Sequence, residues 1–264
     1  MSAPRVIGFI GDTHCGSHCG LWPVKDLHGT HPQIKYLMSC YTNMVKAWPK
    51  LDLLVLMGDL IDGRQPKGAG VGLLTTDLGE QAAMAAKVLE PAAAKASKII
   101  RVWGTPYHET FDSILKIVDV SLGVCHVAQV IDVGLGKHNL NVAHHPASGT
   151  ALYQGTVVDR ESLWSQIAAH EGHTPDARWI VRAHKHSYFY QETRRRTIVM
   201  MPCWQLPTAH AKKVNYWRFQ ASIGGLLMQQ DNLHDSGYRF TPTLFDGPTV
   251  PVIPYGSLGK DEDD

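Results

Sequence analysis

Arg5-Val6-Ile7-Gly8-Phe9-Ile10 runs straight into Gly11-Asp12-Thr13-His14, and Leu51-Asp52-Leu53-Leu54-Val55-Leu56-Met57 runs into Gly58-Asp59-Leu60-Ile61-Asp62. Each is a short β-branched or leucine-rich run, suited to a buried strand, that stops on a glycine and a carboxylate. Between and after them the apolar period becomes helical, over Gln33–Trp48 and Leu78–Ser97, and a third run, Lys98–Trp103, ends in Gly104-Thr105-Pro106-Tyr107-His108-Glu109. Strands alternating with helices predict βαβ units, and hence an α/β protein with a parallel sheet. Asp77 with Glu80 three positions on predicts a capping box at the head of the second helix, after a glycine-rich loop over Gly63–Gly72.

Further along, helical patterns recur at Thr110–Leu122 and Arg160–His170. Strand patterns recur at Val127–Val133, Asn139–Ala143, Trp179–Arg182 and Thr197–Met201, so the second half is the richer in strands. No internal repeat or linker-like shift of composition breaks the chain, which predicts one domain over residues 1–259. The charged end Lys260-Asp261-Glu262-Asp263-Asp264 predicts a disordered acidic tail, preceded by an extended Pro248–Pro254 segment.

Composition narrows the function classes. With 25 Lys+Arg against 24 Asp+Glu in 264 residues, the net charge of +1 gives no reason to expect a chain that coats nucleic acid through bulk charge. The apolar runs are far short of the roughly 20 residues of a membrane span, and the N-terminus lacks a secretory pattern, so a cytoplasmic protein without membrane association is expected. Five cysteines without a CxxC pair fit a reducing compartment. Histidine is in excess, 15 residues, and imidazole is both a common metal ligand and the acid–base group closest to neutrality.

The histidines fall at strand ends. Ligands of parallel α/β sheets sit beyond the carboxyl ends of the strands, so Asp12, His14 and Asp59 should converge, with His108 at the same rim. His144-His145-Pro146 and His184-Lys185-His186 each follow a strand as well. Alone, an Asp-x-His or a Gly-Asp is usually a turn or a cap. Five such pieces in order, each at a strand end, point to a metal site, and mixed carboxylate and imidazole ligands suit Zn, Mn, Fe or Ni better than Ca or Mg.

These ordered blocks, spanning Asp12 to His186, resemble the calcineurin-like metallophosphoesterases, whose pattern is Asp-x-His, Gly-Asp-x-x-Asp, Gly-Asn-His-Asp/Glu, a lone His and Gly-His-x-His. The resemblance implies a four-layer α/β/β/α sandwich and a hydrolase that cleaves phosphate esters with a hydroxide shared between two divalent ions. Asp12, His14 and His186 would hold the first ion, Asp59 would bridge, and His144 and His184 would hold the second. His108 would be the catalytic imidazole and Asp62 would support the chemistry from behind the ligands. Two departures stand out. Ala183-His184-Lys185-His186 replaces a glycine by alanine, which costs little where φ is negative. Thr105 stands where the family ligates with Asn, and two residues separate Gly104-Thr105 from His108, so the second ion has a hydroxyl or water in place of an amide oxygen.

A phosphodiester of nucleic-acid or nucleotide type is the first expectation for the substrate, a phosphomonoester or phosphoprotein the alternative, and a non-catalytic scaffold of the same fold the third. Arg64, Lys67 and His145 are the candidate substrate contacts. Arg194-Arg195-Arg196 after Tyr188-Phe189-Tyr190 suggests a hairpin with one arginine facing inward, and basic residues beside aromatics can serve a nucleic-acid strand, although a solvated turn is the commoner meaning. Trp204, His210, Tyr216 and Trp217 fit core packing better than a stacking platform. Cys15, His18, Cys19, His28 and His31 match no zinc spacing.

Overall fold

A computed structural model describes residues 3–23, 32–66, 69–110, 112–147, 154–208, 221–234 and 236–247. The strands are β1 (Val6–Ile10), β2 (Leu53–Leu56), β3 (Ile99–Val102), β4 (His126–Ala128), β5 (Val130–Leu135), β6 (His138–Ala143), β7 (Ala177–Arg182), β8 (Phe189–Glu192), β9 (Thr197–Met200), β10 (Ile223–Gln230) and β11 (Tyr238–Phe245). The helices are α1 (Pro32–Ala47), α2 (Leu78–Ala93), α3 (Asp112–Leu122) and α4 (Gln154–His170). They build two mixed sheets, in the orders β11-β10-β1-β2-β3-β4 and β5-β6-β7-β9-β8.

Residue alternation assigns the layers. Ile7, Phe9, Leu53, Val55 and Val102 meet Leu140, Val142, Trp179, Val181 and Val199 in the core between the sheets. The opposite faces of the same strands, Ile10, Leu54 and Leu56, pack under Leu37, Met44, Ala85, Leu89 and Leu115 of the first three helices. Helix α4 covers the outer face of the second sheet through Val158 against Ile180 and Ile198. The molecule is therefore an α/β/β/α sandwich. Strands β1 and β2 are buried on both faces, which is why they read as continuous apolar runs; each fully buried Leu or Ile contributes about 1.5–3 kcal/mol. Among the described residues no helix is long and apolar enough to cross a membrane.

Three local expectations change. Val127–Val133 is two strands: β4 pairs parallel with β3 and β5 pairs antiparallel with β6, so the chain crosses between sheets at Gln129. A continuous apolar pattern does not reveal such a crossing. Helix α2 stops at Ala93, soon after Pro91, and tight turns from Lys95 and Ala96 back to Ala92 and Ala93 close it before Ser97. At its head Asp77 Oδ1 accepts from the amides of Gly79 and Glu80, at 2.7 and 3.1 Å, but the reciprocal arm is supplied by Thr75, whose Oγ1 accepts from the Asp77 amide and donates to Glu80. Strands β10 and β11 extend the first sheet beside β1, where the sequence reading had marked no strand.

Candidate metal centre

Six strand ends meet at one rim of the sandwich. The loops after β1 and β2 run side by side, with the amides of Asp12, His14 and Cys15 bonded to the carbonyls of Gly58, Asp59 and Leu60 at 2.9, 3.1 and 3.0 Å. The loop after β3 lies against them through Gly104, where a Cβ would come within 2.3 Å of the Asp59 amide nitrogen and carboxylate, so only glycine fits. Across the core, the loops after β6 and β7 are joined by the Ala183 amide donating to the His144 carbonyl at 3.0 Å.

This packing brings Asp12, His14, Asp59, His108, His144, His184 and His186 together. Their ligand atoms form three overlapping groups that could hold an ion: Asp12 with His14 and His186, His14 with Asp59 and His108, and Asp59 with His144 and His184. Of the seven described non-glycine residues with positive φ, five are in this set: Asp12, His14, Asp59, His184 and His186, with φ of 49, 43, 48, 69 and 55°. A side chain in that region costs on the order of 1–3 kcal/mol, and such strain gathers where geometry serves a function. Ala183 is not among the positive-φ residues, so the replacement of glycine there carries no backbone strain.

Hydrogen bonds fix which nitrogen of each ring faces inward. His144 donates Nδ1–H to the Met57 carbonyl at 2.7 Å, leaving Nε2 3.1 Å from Asp59 Oδ2. That Nε2 is fully buried and aligned with no hydrogen-bond partner. His14 Nδ1 donates to Asp62 Oδ1 at 2.9 Å, so its Nε2 presents a lone pair 3.4 Å from His186 Nε2 and 3.9 Å from Asp12 Oδ1. His186 Nε2 is 3.1 Å from Asp12 Oδ1, and the His184 amide donates to Asp12 Oδ2 at 3.2 Å. Buried lone pairs facing one another, one of them without a partner, fit a divalent cation: a buried polar atom otherwise costs about 1–3 kcal/mol unpaired.

The charges agree with this arrangement. Burial works against ionising Asp12 and Asp59, yet the surrounding imidazoles hold both carboxyls well below the usual range. Burial also opposes protonation of His144, but Asp12 and Asp59 outweigh it and raise that imidazole to about 9. His184 goes the other way, down to about 4, because burial and the neighbouring His144 both disfavour its cation.

Three further groups hold the frame. Asp62, fully buried, takes bonds from His14, from Gln205 Nε2 at 3.2 Å and from Gln65, and its carbonyl accepts from His108 Nδ1 at 2.7 Å. It therefore orients the rings of His14 and His108. Glu109 accepts from the Leu60 amide at 2.8 Å and the Gly104 amide at 2.6 Å, locking the loops after β2 and β3 together; burial and then Asp59 raise its carboxyl to about 7. Thr105 is committed to Asp59, with its amide 2.6 Å from Oδ1 and its hydroxyl 3.0 and 3.2 Å from the two carboxylate oxygens.

The remaining sequence candidates divide. His145 joins the rim, its ring 4.5 Å from that of His184. Arg64 is exposed and makes no hydrogen bond or ion pair with the cluster among the described residues, and Lys67 lies outside them. Cys15 is fully buried, its thiol pushed up to about 12 by burial, while His18 packs on Trp22; His28 and His31 lie outside the described residues. Trp204 is core, edge-on to Tyr41 at 5.2 Å, whereas His210, Tyr216 and Trp217 fall outside the described residues. Gln205 and Cys203 were missed. Both follow β9, another parallel strand, so the strand-end rule that found the histidines would have found them too.

No family model matches the chain, and no curated protein matches it in sequence. Solved structures similar to it include Vps29 complexed with zinc from Entamoeba histolytica, at 12% identity over 91% of this chain and 99% of that one, with a TM-score of 0.45. A predicted phosphoesterase from Streptococcus pneumoniae matches at 10% identity, covering 92% and 100%, with a TM-score of 0.39. A novel archaeal phosphodiesterase matches at 12% identity, covering 90% and 99%, with a TM-score of 0.43.

Proposed function

We propose that this chain is a binuclear metal-dependent phosphoesterase of the calcineurin-like family acting on phosphodiesters. The observation that supports the reading is Asp59: its carboxylate falls in one possible ligand group with His14 and His108 and in another with His144 and His184, with His14 common to the first of these and to the group of Asp12 and His186, so Asp59 stands where a bridging ligand would. Asp12, His14 and His186 would hold one ion and His144 and His184 the other, with Asp59 placed between the two sets. Paired divalent ions, of the Mn, Zn, Fe or Ni type, supply Lewis acidity toward phosphate oxygens and a lowered pKa for nearby water.

The chain's own groups do the rest. Asp62 and the Met57 carbonyl fix the tautomers of His14 and His144, so that both offer Nε2. His108 is held by its Nδ1 to the Asp62 carbonyl, its ring 4.6 Å from that of His14, which leaves Nε2 to donate a proton to the leaving oxygen. With Thr105 bonded to Asp59, a second ion would have one fewer protein ligand and would be the more exchangeable. Burial and the neighbouring His144 push the His145 imidazole down, toward its neutral form, so Lys185 is the cation beside it, a modest cationic provision that suits a singly charged diester better than a doubly charged monoester.

The test is turnover of bis-p-nitrophenyl phosphate against p-nitrophenyl phosphate by chelator-stripped protein reloaded with Mn, Ni or Zn. Preference for the diester is expected. Preference for the monoester replaces the substrate class, and no hydrolysis of either with metal bound favours a scaffold.

A further inference from the structure

At the end of the second sheet away from the metal rim lies a cavity of about 600 Å³ between the C-terminal turn of α4, the start of β7 and the β8–β9 turn. Its lining includes Arg178, Arg194, Arg195, Arg196, His170 and Asp176, a local excess of cation in a chain whose net charge is only +1. Arg178 is the second residue of β7, and His184 follows six residues later, beyond the strand's other end; at about 3.3 Å per extended residue the two are up to about 20 Å apart. A phosphate at the metals cannot reach this cavity.

The four guanidinium groups are not equivalent. Arg196 is buried and structural, bonded to the Ala177 carbonyl at 3.2 Å, to the Ser162 carbonyl at 2.7 Å and to the Asp176 carboxylate. Arg178 donates to the carbonyls of Thr193 and Arg194 at 3.2 and 3.0 Å, which shapes the turn and holds the next two residues at the mouth. Arg194 and Arg195 are exposed and pair with nothing among the described residues. Two fixed cations thus form the floor and two free ones the entrance; among the described residues Asp176 is the carboxylate in the lining, engaged by Arg196, and Glu192 stands 3.9 Å from Arg178.

We propose that this cavity binds a phosphate group of a phosphate-rich polyanion, as an anchoring site separate from the metal centre. Planar guanidinium forks match the several oxygens of a phosphate. Among the described residues the His138 and His170 imidazoles are the rings in the lining and no large aliphatic side chain is present, so the guanidinium groups dominate it and the recognition is of the anion. Single-stranded nucleic acid and polyphosphate both present that chemistry. The arginine triplet that the sequence marks as a hairpin turn thereby acquires a use.

The test is binding of an oligothymidylate, of inorganic tripolyphosphate and of polyglutamate to the protein as purified and to the double variant Arg194→Ala/Arg195→Ala, with hydrolysis of bis-p-nitrophenyl phosphate measured in parallel. Both substituted side chains are exposed, so the fold is retained. The variant should bind the phosphate probes at least about tenfold more weakly, with a shallower salt dependence, by roughly 0.7 in log–log slope for each lost contact to a single strand. Hydrolysis of the small diester should not change. Tighter binding of the oligonucleotide than of tripolyphosphate assigns the site to nucleic acid, and the reverse to free polyphosphate. The proposal is overturned if neither phosphate probe binds, if the variant binds as tightly as the parent, or if polyglutamate is preferred. Absence of hydrolysis in both proteins would count against the phosphoesterase reading and leave the anion site standing.

Discussion

His14 Nε2 and His186 Nε2 face each other across 3.4 Å, with Asp12 Oδ1 3.1 Å from the second of them. Because His14 donates its Nδ1–H to Asp62, the nitrogen turned toward His186 is an acceptor, and a buried and a half-buried imidazole brought together in this way need a cation or a proton between them. Across the rim, His144 Nε2 and Asp59 stand in the same relation.

The first concerns protons. His144 in the metal-free protein is raised to about 9 and His186 is held well above the usual imidazole range, burial being outweighed by Asp12 and Asp59 for the former and by Cys203 and Asp12 for the latter. A metal needs both rings neutral, so its affinity should increase as pH rises toward about 9, and binding at neutral pH should release protons. Stability of the metal-free chain runs oppositely: the His144 contribution is complete below the unfolded value of about 6.5 and is lost as pH rises through about 9. Titration calorimetry in buffers of different ionisation enthalpy should show proton release; heats independent of buffer would contradict it.

His108→Ala should leave metal content intact and reduce kcat by about 10²- to 10⁴-fold, the usual share of a general acid. Metal analysis beside steady-state kinetics separates the roles, since loss of metal in parallel with activity would make His108 a ligand.

At the second ion, Thr105→Asn should restore an amide oxygen beside Asp59. A chelator titration of the parent should strip the ions in two stages, and the variant should lose the weaker one about tenfold less readily, in line with the 10- to 100-fold effects of single groups around metals. A single-stage loss in the parent would remove the argument.

Stability of the second sheet depends on a buried pair. Arg182 donates to Glu161 at 3.0 Å and to Asn141 Oδ1 at 2.7 Å, and Glu161 also takes the Ala147 amide at the end of the His144 loop. Glu161→Ala leaves the guanidinium buried without its carboxylate, which should cost about 3–5 kcal/mol in denaturant unfolding. A loss under about 1 kcal/mol would mean that water replaces the carboxylate at little cost.

Much of this was legible in the sequence for one physical reason: a parallel strand ends where its apolar run ends, so Asp12, Asp59, His144 and His184 announce their position by adjacency, whereas His108 stands six residues beyond β3 and was marked through the family pattern. What was not legible depended on approach across the fold. Asp62 follows Asp59 closely in sequence, yet its grip on His14 spans 48 residues. Gln205 reaches it from 143 residues away, and Glu161 reaches the His144 loop from a helix whose apolar pattern is weak. Crossings between sheets, as at Gln129, leave no mark in apolar periodicity, and β10 carries two glycines where branched residues would signal a strand. Those at 224 and 225 would meet the Thr243 carbonyl and the Met44 side chain if they bore a Cβ, so close packing, not propensity, selects them.

Asp59 is the proposed bridge between two ions. Anomalous diffraction from crystals of manganese-loaded protein, beside crystals of Asp59→Asn prepared in the same way, addresses it directly. The account predicts two peaks roughly 3.5–4 Å apart in the parent, one among Asp12, His14 and His186 and one between His144 and His184, each within ligand distance of Asp59, with at least the second lost in the variant. A single peak away from Asp59, or two peaks unaltered in Asp59→Asn, would contradict it.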